Sequence, residues 1–263
     1  MLSMLSAGLL AAVLVGQSPA EPPAPPPAAA QQNDAGLTLI QDRRSDREPV
    51  RWDRGVCVGV SGLSAQSAQF VVDRVSQRAA AVGLRAGAPG CEPNVIILVT
   101  DDPDGVARGV SNRREFVSSG SSRSQSRQEL AAFLETDRAV RWWYIWQAVG
   151  EGGQVVSSDD RNRNIPELRV PDRGRVASRH NTRQAFTHAI IIVDSAQVTG
   201  VQMNALADYI AMAALAQMSP TQSSDGQPTI MTLFNDVNAG RTPPTEMTSW
   251  DQARLQSLYE TPR

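Results

Sequence analysis

The chain has 263 residues, 41% of them hydrophobic, with 25 basic against 27 acidic side chains and a net charge of −2, which is material for one good-sized globular domain. That balance gives no electrostatic case for nucleic acid, whose backbone is held by many uncompensated cations. Every basic residue is Arg, so a lysine Schiff base, a lysine nucleophile and a P-loop lysine are all excluded, and with only His180 and His188 a three-histidine metal site is impossible.

Residues 9–16 (LLAAVLVG) are an apolar run followed by Gln17-Ser18-Pro19-Ala20, the pattern of a signal peptide over residues 1–20. The run is shorter than the roughly 20 residues a spanning helix needs. A periplasmic or secreted protein with no membrane span after cleavage is expected, and no cysteine follows the run until Cys57, so a lipid-modified N-terminus is not expected. Residues 21–36, rich in Pro and Ala, read as an extended linker that spaces the domain from a surface or serves as a passive leader. The folded domain is then 37–263.

Within it, residues 54–60 (RGVCVGV) alternate as a strand does. Residues 64–82 carry Phe70, Val71, Val75, Ala79 and Val82 at helical spacing, with Ser64 as N-cap and Gly83 just past the end. Residues 94–100 (NVIILVT) are a continuous apolar run, the mark of a strand buried on both faces, so strand, helix and strand make a βαβ unit. Cys57 lies in the first strand and Cys91 just before the second, and in an oxidising compartment two such cysteines pair.

Residues 118–127 contain no apolar side chain and read as a loop, followed by a short helix through Leu130, Phe133 and Leu134. The dense run 139–149 (AVRWWYIWQAV), the glycines after it and residues 154–157 predict a β-hairpin. A long polar loop covers 158–182 and a second buried strand 189–193 (AIIIV). Met203, Leu206, Ala207, Ile210, Ala214 and Met218 then mark a largely buried helix, and a last helix runs from about Ser249 to Tyr259. The expectation is a single α+β domain, a mixed sheet with packed helices in the order β-α-β-hairpin-β-α-α.

The last third resembles a family of uncharacterised exported bacterial proteins with a zincin-like domain. The resemblance rests on residues 189–193, 206–218, 229–236 (TIMTLFND) and 247–263 (MTSWDQARLQSLYETPR). It implies a metalloprotease-like scaffold in which the helix after the sheet carries the metal ligands. That chemistry needs two imidazoles at i and i+4, on one helix face, with a Glu beside the first to activate the metal-bound water. Here no His lies between 189 and 263, and Asp208 with Met212 has the spacing only. A thioether is a poor zinc partner beside a carboxylate, so no metal and no other cofactor is expected.

Other constellations compete with plainer readings. His180 and His188 meet across a loop, or one lies on the surface and the other packs on the sheet. Asp101-Asp102-Pro103-Asp104-Gly105 follows a strand, where open sheets place ligands, yet it lacks the EF-hand spacing and reads better as an acidic turn. Residues 159–164 reach Ile165 where a calcium loop needs Gly. The segment around Ser61 lacks the second glycine of a nucleophile elbow. Trp142, Tyr144 and Trp146 share one strand face, either a stacking platform for a sugar or protein or part of the core. The function expected is binding of a cell-envelope protein or glycan by a catalytically inactive domain. The alternatives are a hydrolase with an unrecognised site, tested first at Asp208, His188, Asp101 and Asp102, or a structural envelope protein.

Overall fold

The computed structural model describes residues 50–53, 55–113, 122–124, 127–149, 183–218 and 226–260. A six-stranded sheet runs in the order β2 (Val58–Ser61), β3 (Val95–Thr100), β6 (Arg183–Asp194), β5 (Val140–Val149) and β4 (Ser122–Ser124), and β1 (Arg51–Trp52) lies beside the first half of β6. Strands β1, β2, β3 and β6 are parallel to their neighbours in that set, whereas β5 runs antiparallel to β6 and β4 antiparallel to β5.

Helices cover both faces. On one face α1 (Ala65–Ala81), α4 (Met203–Leu215), a 3-10 turn (Ile230–Thr232), α5 (Leu233–Asn238) and α6 (Ser249–Glu260) enclose the larger core. On the other, α2 (Pro103–Ser111) and α3 (Arg127–Leu134) cover Trp143, Ile145, Ile190 and Ile192. A strand sandwiched in this way needs apolar side chains at both parities, which is why β3 and the end of β6 are continuous apolar runs.

Helix α1 starts and stops where the sequence predicts: the Ser64 hydroxyl accepts from the Ser67 N–H at 3.3 Å, and Gly83 has φ +80°. Three expectations change. The acidic turn at Asp102 opens α2, with Asp102 as N-cap and Pro103 in the first turn. The loop expected over 118–127 contributes β4, which pairs with Ile145 to Gln147. The arm expected at 154–157, like His180 and residues 1–49, lies outside the described residues. Within them β5 pairs with β6, which is twelve residues long rather than five. A bulge explains the hidden half of β6: Ile145 faces His188 but Trp146 faces Phe186. Thr187 is the extra residue, and its hydroxyl donates to the Ile145 carbonyl at 3.1 Å. The parity flip puts Phe186 in the same core as Ala189 and Ile191, with its ring 5.0 Å from Tyr144 and 5.6 Å from Trp52.

Cys57 and Cys91 form a disulfide, with Cα atoms 6.1 Å apart. Asn94 braces the same junction, accepting from the Cys57 N–H at 2.7 Å and donating to the Gly55 carbonyl at 3.1 Å.

Candidate functional site

Helix α4 is the centre of the molecule, and every residue from Ala205 to Leu215 is buried. A helix apolar on all sides belongs inside a core, and it poses two electrostatic problems there. One is its only charged side chain, Asp208. The other is its C-terminal end, where the last carbonyls lack intrahelical partners.

Asp208 is 0% exposed. Arg74 and Arg78, one turn apart on α1, each grip it side-on, Nε to Oδ1 and Nη2 to Oδ2, with all four contacts at 2.8 Å. The Met247 N–H, in the segment leading into α6, donates to Oδ2 at 2.7 Å. Glu246 adds a looser contact to Arg74 at 3.4 Å. Burial alone would raise the carboxyl pKa, but the hydrogen bonds from Arg78, Arg74 and Met247 outweigh it and hold Asp208 below the usual carboxylate range. A carboxylate that already accepts five hydrogen bonds has no lone pair directed at a substrate. Its hydrogen-bonding capacity is taken up by the fold itself.

The helix end is capped by aromatic side chains. Trp52 Nε1 donates to the Ala214 carbonyl at 2.8 Å, Trp142 Nε1 to Met218 at 2.9 Å, and the Tyr259 hydroxyl to Leu215 at 2.6 Å. The Tyr144 hydroxyl lies between the Ala213 and Ala216 carbonyls, at 2.5 and 2.9 Å. Burial pushes its pKa up, so it stays a donor. Trp142, Tyr144 and Trp146 do share one face, but that face is the core side. Trp142 and Tyr144 are buried and Trp146 is half-buried against the same cluster. The stacking platform is thus corrected to a packed wall that satisfies a helix terminus. Tyr144→Phe is expected to lower stability by about 1–3 kcal/mol, because it strands buried carbonyls, and the urea midpoint checks this.

The other candidates do not converge. Asp102 caps α2, accepting from the Gly105 N–H at 2.9 Å. Asp104 pairs with the buried Arg141 at 2.8 Å, and Arg141 also donates to the Thr136 carbonyl at 2.9 Å. Asp101 is exposed at the C-terminal end of β3. His188 is half-buried near the start of the β3–β6 pairing, next to Ala189, which pairs with Val95. That is a strand length, about 20 Å, from Asp101. Burial pushes the His188 pKa down, and Glu92 opposes the shift. Asp208 lies across the sheet on the opposite face. No group of three or more His, Cys, Asp and Glu suited to a metal occurs among the described residues.

A second polar knot joins α6 to the 3-10 turn. Asp251, 0% exposed, accepts from the Thr229 hydroxyl at 2.5 Å, the Ile230 N–H at 2.8 Å and the Thr248 N–H at 3.0 Å. The Thr248 hydroxyl accepts in return from the Asp251 N–H at 3.1 Å. This is a capping box in which Asp stands for the usual Glu, and its sequence signal is the Thr-Ser-Trp-Asp run. Arg74, Arg78 and Asp251 were not singled out from the sequence. A lone carboxylate in an apolar helix and two Arg at i and i+4 on another were the available signals. No helix of the described residues is long and apolar enough to cross a membrane. No protein-family model, curated protein or solved structure matches the chain.

Proposed function

We propose that this chain is an exported domain on a zincin-like scaffold that has no catalytic metal and acts by binding a protein or glycan of the cell envelope. The closed state of Asp208 carries the reading. Where a zincin helix presents an imidazole pair and a Glu to zinc and water, α4 offers a carboxylate saturated by two guanidiniums and a buried Met212. Two further observations support it. The stretches that carry the resemblance touch one another: Asp208 meets Met247, Asp251 meets Thr229, and Tyr259 meets Leu215. The Cys57–Cys91 bond suits an oxidising compartment.

With the aromatic wall buried, contact with a partner falls to the outer edge of β2, a half-exposed strand at one end of the sheet, where an added strand finds backbone partners. Protein purified from the exported fraction and dialysed is expected to hold substoichiometric zinc by elemental analysis. Cross-linking in intact cells is expected to join it to one envelope component through residues 58–61. Stoichiometric zinc surviving dialysis would overturn the metal-free reading, and the absence of any cross-link to an envelope component would overturn the binding one.

A further inference from the structure

The outer edge of the β2 strand is blocked at its start and open further along. The Val95 N–H donates to the Cys57 carbonyl at 3.0 Å. Residues 57, 59 and 61 therefore turn their backbone groups to β3, and Val56, Val58 and Val60 turn theirs outward. Beside Val56 runs a strap, residues 85–91. The Val56 N–H donates to the Arg85 carbonyl at 2.9 Å, and the Gly87 N–H to the Val56 carbonyl at 2.8 Å. Among the described residues nothing bonds the outward groups of Val58 and Val60.

Proteins guard such edges with charge or proline, yet residues 55–63 (GVCVGVSGL) contain neither. The strap is the guard. Residues 85–90 are exposed, so beyond the buried Leu84 the strap is held to β2 by the two Val56 bonds and the Cys57–Cys91 disulfide.

The register shows what the guard keeps away. Two copies of β2 related by a twofold axis through Gly59 pair Val58 of each with Val60 of the other, and every outward group on both valines finds a partner. Ser61 of the second copy then lies beside Cys57. Gly87 already occupies that place, because Ala86 is level with Val56. The next register one way sets Val60 against the occupied Val56, and the next the other way pairs only Val60 with itself. Apart from the strap, the edge suits a second copy. Gly59 puts no side chain at the axis, and the half-buried Val58 and Val60 become cross-strand neighbours. On α1, Val71, Val75 and Ala79 face the core and Arg74 and Arg78 face α4. The opposite flank carries Ala65, Val72 and Ser76, all small and uncharged.

We propose that the strap, locked by the disulfide, holds off a second copy of this chain, and that breaking the Cys57–Cys91 bond joins two copies edge to edge through β2. A dithiol supplies the two electrons and two protons, leaving two cysteine thiols and its own sulfurs joined as a disulfide. The Val56 bonds alone then hold residues 85–91, and the strap lifts. The pairing shares its edge with the proposed envelope contact but needs no envelope component, so purified full chain tests it separately.

In sedimentation equilibrium the oxidised wild type is expected at the monomer mass, with fast exchange of the Val58 and Val60 amides in D2O. Dithiothreitol, or Cys57→Ser with Cys91→Ser, is expected to double the mass and to slow those two amides about tenfold or more. Val60→Pro added to the double variant removes a ladder donor and is expected to restore the monomer. A folded reduced protein that stays monomeric would overturn the proposal, as would an oxidised wild type that is already a dimer. So would a mass beyond the dimer, a dimer with both amides still fast, or one that survives Val60→Pro. If neither bond-free form folds, Gly87→Pro decides. It keeps the disulfide but removes the N–H that holds the strap to Val56, so doubling of its mass is expected and a folded monomer would refute the guard.

Discussion

Replacing Asp208 with Asn is expected to destabilise the protein by about 3–5 kcal/mol, the cost of leaving a buried charge network without its counter-charge. The carboxylate neutralises Arg74 and Arg78, both about four-fifths buried, and it anchors the Met247 backbone. A neutral amide has one acceptor oxygen for the five donors, and its own NH2 meets guanidinium donors. The urea midpoint should fall sharply. Replacing all three charges together, Asp208→Leu with Arg74→Met and Arg78→Met, should recover much of the loss, because apolar side chains of similar volume avoid the desolvation that the ion pairs offset. The pH dependence follows from the sign of the shift. The carboxyl has a folded pKa below its ordinary value of 3.8. Its contribution is therefore present above about pH 4 and is lost as pH falls through the depressed folded value. The gap between wild type and Asp208→Asn should close in that acid range and stay constant from pH 5 to 8, as equilibrium unfolding across pH will show. A gap unchanged in acid would mean that the carboxylate is not the stabilising group.

Removing the disulfide should have an effect of similar size. The bond closes a loop with a sequence separation of 34. On the chain-entropy model that constraint contributes about 4 kcal/mol by restricting the unfolded chain. Cys57→Ser with Cys91→Ser is expected to lose that amount, and reductant should lower the thermal midpoint of the wild type to that of the double variant while leaving the variant unmoved. The loop it closes holds α1, so Arg74 and Arg78 lie within the constrained segment. Loss of the bond and loss of Asp208 therefore act on the same helix, and their effects should not add. Gly87 backs the bond closely enough that a Cβ there would run into Cys91 Sγ, so Gly87 is a position where even Ala disturbs it.

Local signals made α1, β3, the end of β6, α4 and α6 legible, because caps and apolar periodicity are written in neighbouring residues. What stayed hidden depends on pairing at a distance. The apolar half of β6 was plain, but a bulge at Thr187 breaks the alternation of its first half, so Phe186 gave no sign of belonging to the core. Helix α2 carries Gly105 and Gly109, poor helix formers, and only its Asp-Pro start announced it. The aromatic stripe of β5 is legible as one face from its alternation. Its role was not legible, because the carbonyls it serves lie some 70 residues away at the end of α4. Asp208 is legible as an isolated carboxylate in an apolar helix, but its partners Arg74 and Arg78 lie more than 120 residues earlier, where no local signal links them to it.

The pairing of Val149 with Arg183 brings the two ends of the intervening 150–182 segment side by side on adjacent antiparallel strands. The strand pairing itself therefore sets where those two ends lie. The Trp142 and Tyr144 caps are set by strand residues whose register that pairing fixes. Each doubling of its length adds only about 0.6 kcal/mol of closure entropy. A longer connection between β5 and β6 is thus a small entropic cost against a pairing that already holds its two ends side by side.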